Sequence, residues 1–137
     1  MMYLFDASSI VNLIKRGVVK PFADGSTLDL ALYESMNAIW KEYKLLNKLD
    51  EETALEFIGV IGDVFEAIEV LSIRRFEAEI FKLSSKEGIS IYDASYIYSA
   101  MRNRLTLVTD DRVLREKASR YLRAISSREF IESLKSP

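Results

Sequence analysis

Short apolar runs that stop on an acidic residue and give way to apolar residues at helical spacing restrict the fold of this chain more than any other feature. Tyr3 to Phe5 runs into Asp6, after which Ile10, Val11, Leu13 and Ile14 recur at helical spacing as far as Gly17. Leu105 to Val108 runs into Thr109, Asp110 and Asp111, and a helical segment follows to about Tyr121. Between them, Pro21, Asp24 and Gly25 mark a connection, Thr27 to Leu32 predicts a short strand, and Tyr33 to Lys48 a second helix. Asp50 opens a third helix through Phe65, Ile68 to Ile73 reads as a strand, Arg74 to Glu87 as a helix stopped by Gly88, and Ser90 to Asn103 as another helix. A strand over Leu122 to Ile125 and a helix over Arg128 to Leu134 finish the chain. Strands alternating with helices imply right-handed crossovers, hence a mostly parallel sheet with helices on both faces, a three-layer α/β/α arrangement.

With 137 residues, 49% of them hydrophobic, the chain is expected to form one domain over residues 1–137 around a single core. The chain contains no Cys, which removes disulfides, thiolate nucleophiles and Cys-based zinc sites and fits a reducing, cytoplasmic setting. The absence of His removes the usual general base near neutral pH, Ser-His-Asp and Cys-His catalysis and most transition-metal sites. Strong chemistry is left to carboxylates, Lys, Tyr, Ser and Thr. Carboxylates are hard oxygen ligands that suit Mg²⁺ or Mn²⁺. Met1 to Phe5 is too short an apolar stretch for a signal peptide or a membrane span, so no membrane association is expected.

Net charge is only -2, but the charges are unevenly placed. Asp50, Glu51, Glu52, Glu56, Asp63, Glu66 and Glu69 run with no basic residue among them, whereas Arg102, Arg104, Arg112, Arg115, Lys117, Arg120 and Arg123 crowd the C-terminal third. That asymmetry permits a phosphate-facing surface on a nearly neutral protein; a solvated helix face is the ordinary explanation of such a run. In the second helix Tyr33, Met36, Ile39, Trp40, Tyr43 and Leu46 form one apolar stripe, while Glu34, Asn37 and Lys41 share another face. The third helix is apolar around more of its circumference than one core face needs, which makes it either a core helix or a partner surface. Tyr92, Tyr96 and Tyr98 are core residues by default, with stacking on RNA bases as the functional alternative.

Parallel sheets bind ligands beyond the carboxyl ends of their strands, and four acids are expected there. Asp6 and Asp111 each follow a predicted strand, Glu34 sits in the first turn after another, and Asp93 opens the helix after Gly88. Each also has a local explanation, because acids at helix starts satisfy free N–H groups and the positive end of the dipole. Ser90 with Asp93 has capping-box spacing, and Asp111 is placed to cap the helix after it. Taken together they demand more. Two carboxylates about 4 Å apart repel by about 4 kcal/mol at an effective dielectric near 20, so a cluster needs protonation or a cation.

Four segments, LFDASSIVNLI around Asp6, LALYESMNAI around Glu34, SIYDASYIYSA around Asp93 and LTLVTDDRVL around Asp111, resemble the PIN-domain ribonucleases, in particular the small VapC-like toxins of VapBC-type toxin-antitoxin pairs. They span nearly the whole chain in the family's order. The resemblance implies a PIN-like α/β/α fold with Asp6, Glu34, Asp93 and Asp111 as catalytic, metal-binding acids and Ser8, Asn37 and Thr109 as polar supports. The family's Thr-x-Asp spacing favours Asp111 as the fourth acid, with Asp110 as the alternative. The resemblance further implies Mg²⁺ or Mn²⁺ as cofactor, hydrolysis of RNA phosphodiesters as an endoribonuclease, a homodimer and a cognate antitoxin. Arg112 and Arg115 are candidates for holding the RNA backbone. A catalytically inactive PIN-like module that binds protein or RNA is the alternative. A phosphoryl-accepting receiver domain is disfavoured, since no acidic pair follows the first strand and no well-placed Lys the last.

Overall fold

The computed structural model describes residues 3–135; Met1, Met2, Ser136 and Pro137, included in the expected 1–137 domain, lie outside the described residues. Among the described residues the strands are β1 (Tyr3–Phe5), β2 (Ser26–Leu28), β3 (Glu69–Leu71), β4 (Thr106–Val108) and β5 (Ala124–Ile125). The helices are α1 (Ala7–Lys15), α2 (Leu30–Trp40), α3 (Glu51–Ala67), α4 (Glu77–Glu87), α5 (Ile91–Arg102), α6 (Arg112–Ala118) and α7 (Ser127–Leu134). All strands pair in parallel in the order β3-β2-β1-β4-β5. Moving from β1 to β2 to β3 the chain walks one way across the sheet, and from β4 to β5 it walks the other. Right-handed crossovers then set α1, α2 and α3 on one face and α4, α5 and α6 on the other. The observed neighbours agree: α1 lies against α2 and α3, and α4 against α5, while α7 returns to α1. The direction of winding reverses between β1 and β4, and a crevice opens beyond their carboxyl ends.

Local chemistry sets the boundaries. Asp29 hydrogen-bonds the Leu30 N–H, so the predicted Thr27–Leu32 strand stops at Leu28 and the helix begins before Tyr33. The predicted Tyr33–Lys48 helix ends at Trp40 and continues as a π-helical turn, Lys41–Leu45, before Asn47 takes a positive φ of 51°. Arg74 and Arg75 lie outside α4, because Arg75 adopts a φ of 82° that no helix accommodates. The predicted strands at Ile68–Ile73 and Leu122–Ile125 are shorter than expected, at Glu69–Leu71 and Ala124–Ile125.

The core is built on the central strands. Phe5 meets Phe22 and Phe130 edge-on, at ring-centroid distances of 4.9 and 5.1 Å, and Tyr3 meets Phe130 at 4.9 Å. A Cβ on Gly25 would lie 2.5 Å from the Phe5 ring, so only glycine lets the chain enter β2 beside β1 here. That packing fixes Phe5, and with it the direction in which Asp6 leaves the sheet. Of the apolar stripe on the second helix, only Ile39 is buried in the core; Tyr33, Met36, Trp40 and Leu46 are exposed. Ala54, Ile61 and Val64 of α3 are buried, whereas Leu55 is exposed.

Candidate active site

Asp6 is the structural centre of the crevice and is 5% exposed. It is the N-cap of α1: one carboxylate oxygen accepts the Ser9 N–H at 2.9 Å and the Ser8 hydroxyl at 2.8 Å. The other accepts a short hydrogen bond from the Thr109 hydroxyl at the end of β4. The Ser9 hydroxyl donates to the Val108 carbonyl at 2.8 Å, and the Asp6 N–H to the same carbonyl at 3.2 Å, so the exits of β1 and β4 are stitched together. Burial pushes the Asp6 carboxyl above the ordinary carboxylate range, against the pull of the hydrogen bonds from Thr109, Ser9 and Ser8.

Glu34 and Asp93 approach from opposite layers. Glu34 stands on α2 with much of its side chain facing solvent, yet its carboxylate turns inward to accept the Tyr96 hydroxyl at 2.9 Å. Desolvation raises its pKa, and the negative charges of Asp6 and Asp93 push in the same direction, with Tyr96 opposing them. Asp93 lies half-buried in the first turn of α5, and burial together with the charge of Asp111 raises its pKa. The Ser90 hydroxyl caps α5 by accepting the Asp93 N–H at 3.0 Å. The return half of the capping box is not made, since Asp is one methylene shorter than Glu, and the Asp93 carboxylate stays available to the crevice. Burial and the Glu34 charge push the Tyr96 hydroxyl far above its ordinary range, so it stays protonated and donating.

Adjacent Asp110 and Asp111 are used differently. Asp110 accepts the Asn12 side-chain amide at 2.7 Å and the Ser127 N–H at 2.8 Å, tying β4 to α1 and to the start of α7. Its own N–H donates to the Ser8 hydroxyl at 2.9 Å. Asp111 is exposed and caps α6 with one oxygen, accepting the Leu114 N–H at 3.0 Å, while its N–H donates to the Thr109 hydroxyl at 3.0 Å. Thr109 therefore links Asp6 to the backbone that carries Asp111. Ser8 and Thr109 lie within this network, and Asn37 is exposed on α2 one turn beyond Glu34.

The two arginines have partners of their own. Arg115 donates to the Thr109 carbonyl at 2.8 Å, and Arg112 pairs with Glu116 at 3.4 Å on an exposed helix face. Reading along the sequence picks out Asp6, Glu34, Asp93 and Asp111 from their places at strand and helix ends. It misses the pairing of Tyr96 with Glu34, for which the one available signal is that Tyr96 falls three residues after Asp93, on the same side of α5.

The acids feel one another electrostatically, but among the described residues no group of three is gathered tightly enough to grip an ion as it stands. Mutual repulsion keeps uncompensated carboxylates apart. The donor set, hard oxygens whose charged forms are destabilised by burial and by each other, fits Mg²⁺ or Mn²⁺ chemically.

No protein-family model matches the chain. Ribonuclease VapC3 of Pyrobaculum aerophilum is 36% identical over 91 residues, which cover 66% of this chain and 69% of that protein. Exonuclease VapC9 of the same organism is 32% identical over 117 residues, 84% of each chain. The crystal structure of PAE2754 from Pyrobaculum aerophilum superposes with a TM-score of 0.82 at 29% identity, covering 98% of this chain and 95% of that one.

Proposed function

This chain belongs to the VapC-like family of PIN-domain toxins, and on that premise we propose that it is a divalent-metal-dependent endoribonuclease acting as the toxin of a toxin-antitoxin pair. The observation that supports the reading is that Asp6, Glu34 and Asp93, from three different elements, stand near enough at one sheet edge for Glu34 to feel the charge of both others, with the Tyr96 hydroxyl at 2.9 Å joining Glu34 to the helix that carries Asp93. Such a site stores electrostatic repulsion that a cation relieves.

Asp6, Glu34, Asp93 and Asp111 would hold Mg²⁺ or Mn²⁺. When bound, the ion supplies positive charge at the scissile phosphate and lowers the pKa of water. The chain's own residues do the positioning. Thr109, Ser8 and Ser9 fix the Asp6 carboxylate on both oxygens, and Tyr96 aims Glu34 into the crevice. Asp110 braces β4 against α1 and α7, so the Thr109–Asp111 turn keeps its shape. The exposed flanks at Glu34 and Asp111 leave the edge open, which suits an internal phosphodiester of an RNA chain.

The partner surface is read from the groove between α2 and α3. It is about 550 Å³, is lined by Met36, Trp40, Leu55 and Ile58 among others, and meets the acidic edge at Asn37. An apolar segment of a cognate antitoxin would bury these side chains, and a second copy of the chain is the other occupant to test. Among the described residues no helix is long and apolar enough to cross a membrane.

The test is cleavage of a structured RNA, supplied linear and circular, by wild type and Asp93→Asn protein with Mg²⁺, Mn²⁺ or EDTA. Metal-dependent cleavage of both forms, lost in the variant, is the expected result. Cleavage of the linear form alone would reassign the enzyme as an exonuclease. Full activity in a folded Asp6→Asn, Asp93→Asn double variant would overturn the site, and no cleavage combined with no thermal stabilisation by metal would leave a binding module instead.

A further inference from the structure

The basic run of the C-terminal third divides into engaged and unengaged charges. Beside the acidic edge, Arg115 donates to the Thr109 carbonyl and Arg112 pairs with Glu116. Further along, Arg120 pairs with Glu87 at 3.0 Å, Lys117 donates to the Glu87 carbonyl, and Arg102 lies over the Phe76 ring at 4.5 Å. Arg104 and Arg123 are exposed, and neither side chain has a hydrogen-bond or carboxylate partner among the described residues. Arg104 comes just before β4 and Arg123 just before β5. These strands pair with Leu107 opposite Ala124, and the Leu107 N–H donates to the Arg123 carbonyl at 3.0 Å, so both arginines stand at the amino ends of neighbouring strands. Together with Met101, Thr106, Tyr121 and Leu122 they line a hollow of about 310 Å³ that no acidic residue lines. Glu87, which reaches the Tyr121 hydroxyl from α4, is already paired with Arg120.

Arg104 is held there at a conformational cost. It follows the last turn of α5 with a φ of 54°, its N–H donating to the Met101 carbonyl at 3.3 Å and that of Leu105 to the Ala100 carbonyl at 2.8 Å. Glycine is the usual residue at such a left-handed helix stop, and this chain uses Gly88, with a φ of 64°, for the same turn at the end of α4. The negative end of the α5 dipole attracts any cation, but Arg102 already stands in the last turn. Local stability thus favours glycine at position 104, and the fold gains no pairing from the guanidinium in return.

A phosphate chain approaching clustered carboxylates is repelled, and the arginines that follow Asp111 are engaged, so affinity for a polyanion has to come from elsewhere on the surface. We propose that Arg104 and Arg123 form a second phosphate-binding site, at the sheet edge opposite the acids, that holds the backbone of an RNA strand beyond the phosphodiester being cleaved. Thr106 beside the hollow and Thr109 beside Asp6 are three residues apart along β4, a separation of roughly 10 Å. β5 is the outermost strand on this side, and α6 packs against it. Arg112 at the start of α6 and Arg120 just beyond its end have exposed side chains, so a strand passing from one edge to the other meets positive charge along the way. Contacts of this kind add affinity without reading sequence. That the polyanion is the substrate RNA rests on the nuclease reading given above; the phosphate site itself does not.

The test is fluorescence-anisotropy binding of a labelled single-stranded RNA across a salt titration. It is run in EDTA with strand integrity checked on a gel, for wild type, Arg104→Gly, Arg123→Gln and the double variant. Each single variant is expected to bind more weakly and the double variant roughly tenfold more weakly, with the slope of log affinity against log salt shallower by about 0.7 for each arginine removed. Arg104→Gly should melt at or above the wild-type temperature, because glycine adopts the left-handed turn freely, so its weaker binding is not a folding defect. The thermal shift produced by Mg²⁺, which reports on the acids, should stay as in wild type throughout. Wild-type affinity and salt slope in the double variant would overturn the proposal. So would a lower melting temperature in Arg104→Gly with unaltered binding, which would make the arginine a support of the helix end. Inorganic phosphate separates the two sources of the anion: if it stabilises wild type but not the double variant while RNA binding is equal in both, the hollow takes a free anion and the RNA role fails. If RNA binding falls in the variants but wild type shows neither metal-dependent cleavage nor a metal-induced thermal shift, the nuclease reading fails and the phosphate site stands.

Discussion

The buried hydroxyl of Tyr96 donates to Glu34 at 2.9 Å, joining the helix that carries Asp93 to the helix that carries Glu34. One hydrogen bond therefore links two layers of the fold across the mouth of the site. Tyr96→Phe keeps the ring and removes the donor. The expected cost is about 1 kcal/mol of stability, because Glu34 can rehydrate at the surface. The Mg²⁺ concentration needed for half-maximal thermal stabilisation should rise roughly tenfold, as for other supports of metal ligands. Thermal melts across a Mg²⁺ titration separate the two effects, and an unchanged midpoint would show that Tyr96 only packs.

Asp6 gives the metal-free protein a pH dependence whose direction is set by burial. Its carboxyl sits above the ordinary range in the folded state, so its contribution is most favourable below the unfolded value of about pH 4 and is lost as pH rises through the folded value. Asp6→Asn should melt higher than wild type in EDTA at pH 7.5, with the gap closing toward pH 4. Mg²⁺ should stabilise wild type more at pH 7.5 than at pH 5, and should do little for the variant. Glu87 works the other way. The Tyr121 hydroxyl and then the Arg120, Lys117 and Lys86 charges hold it below the usual range, so its stabilisation is present near neutrality and is lost on acidification. Melting temperatures of wild type and Glu87→Gln compared between pH 3 and pH 7 check that sign.

Asp110 and Asp111 are adjacent in sequence and separable by experiment. Asp110→Ala removes the acceptor for Asn12 and Ser127 and should cost about 1–3 kcal/mol while leaving most of the activity of the folded fraction. Asp111→Asn keeps a good N-cap, so its stability should change little, but it removes a charge that Asp93 feels and should abolish cleavage. Denaturant midpoints and initial rates measured on the same preparations decide the assignment, and the reverse pattern would make Asp110 the fourth acid.

Gly25 acts on the site through Phe5. A methyl group there meets the Phe5 ring at 2.5 Å, in a core whose other aromatic rings leave little room to yield. Gly25→Ala should cost about 1–3 kcal/mol by overpacking. Because Phe5 precedes Asp6, the same change should weaken Mg²⁺ stabilisation, whereas Gly62→Ala, in open space on α3, should stabilise the fold by about 0.5–1 kcal/mol through helix propensity and leave the Mg²⁺ effect unaltered. Melting curves with and without Mg²⁺ provide the comparison.

The order of strands and helices was readable from the residues because its determinants are local: apolar period, caps such as Asp6, Asp50, Ser90 and Asp111, and the left-handed Gly88 that ends α4. The positions of Asp6, Glu34 and Asp111 follow from the same logic, since a parallel sheet delivers every strand exit to one edge, whereas Asp93 opens a helix that follows another helix. Boundaries failed where geometry overrode pattern, at the π-helical turn after Trp40 and at Arg75. The pairing of Tyr96 with Glu34, the bracing of Asp110 by Asn12 and Ser127, and the engagement of Arg115 with Thr109 were decided only by tertiary structure. So was the difference between a buried Tyr96 and an exposed Tyr92. Periodicity tells which face a residue occupies, but a hydrogen bond between side chains 62 residues apart depends on where packing sets two helices. No local rule contains that information.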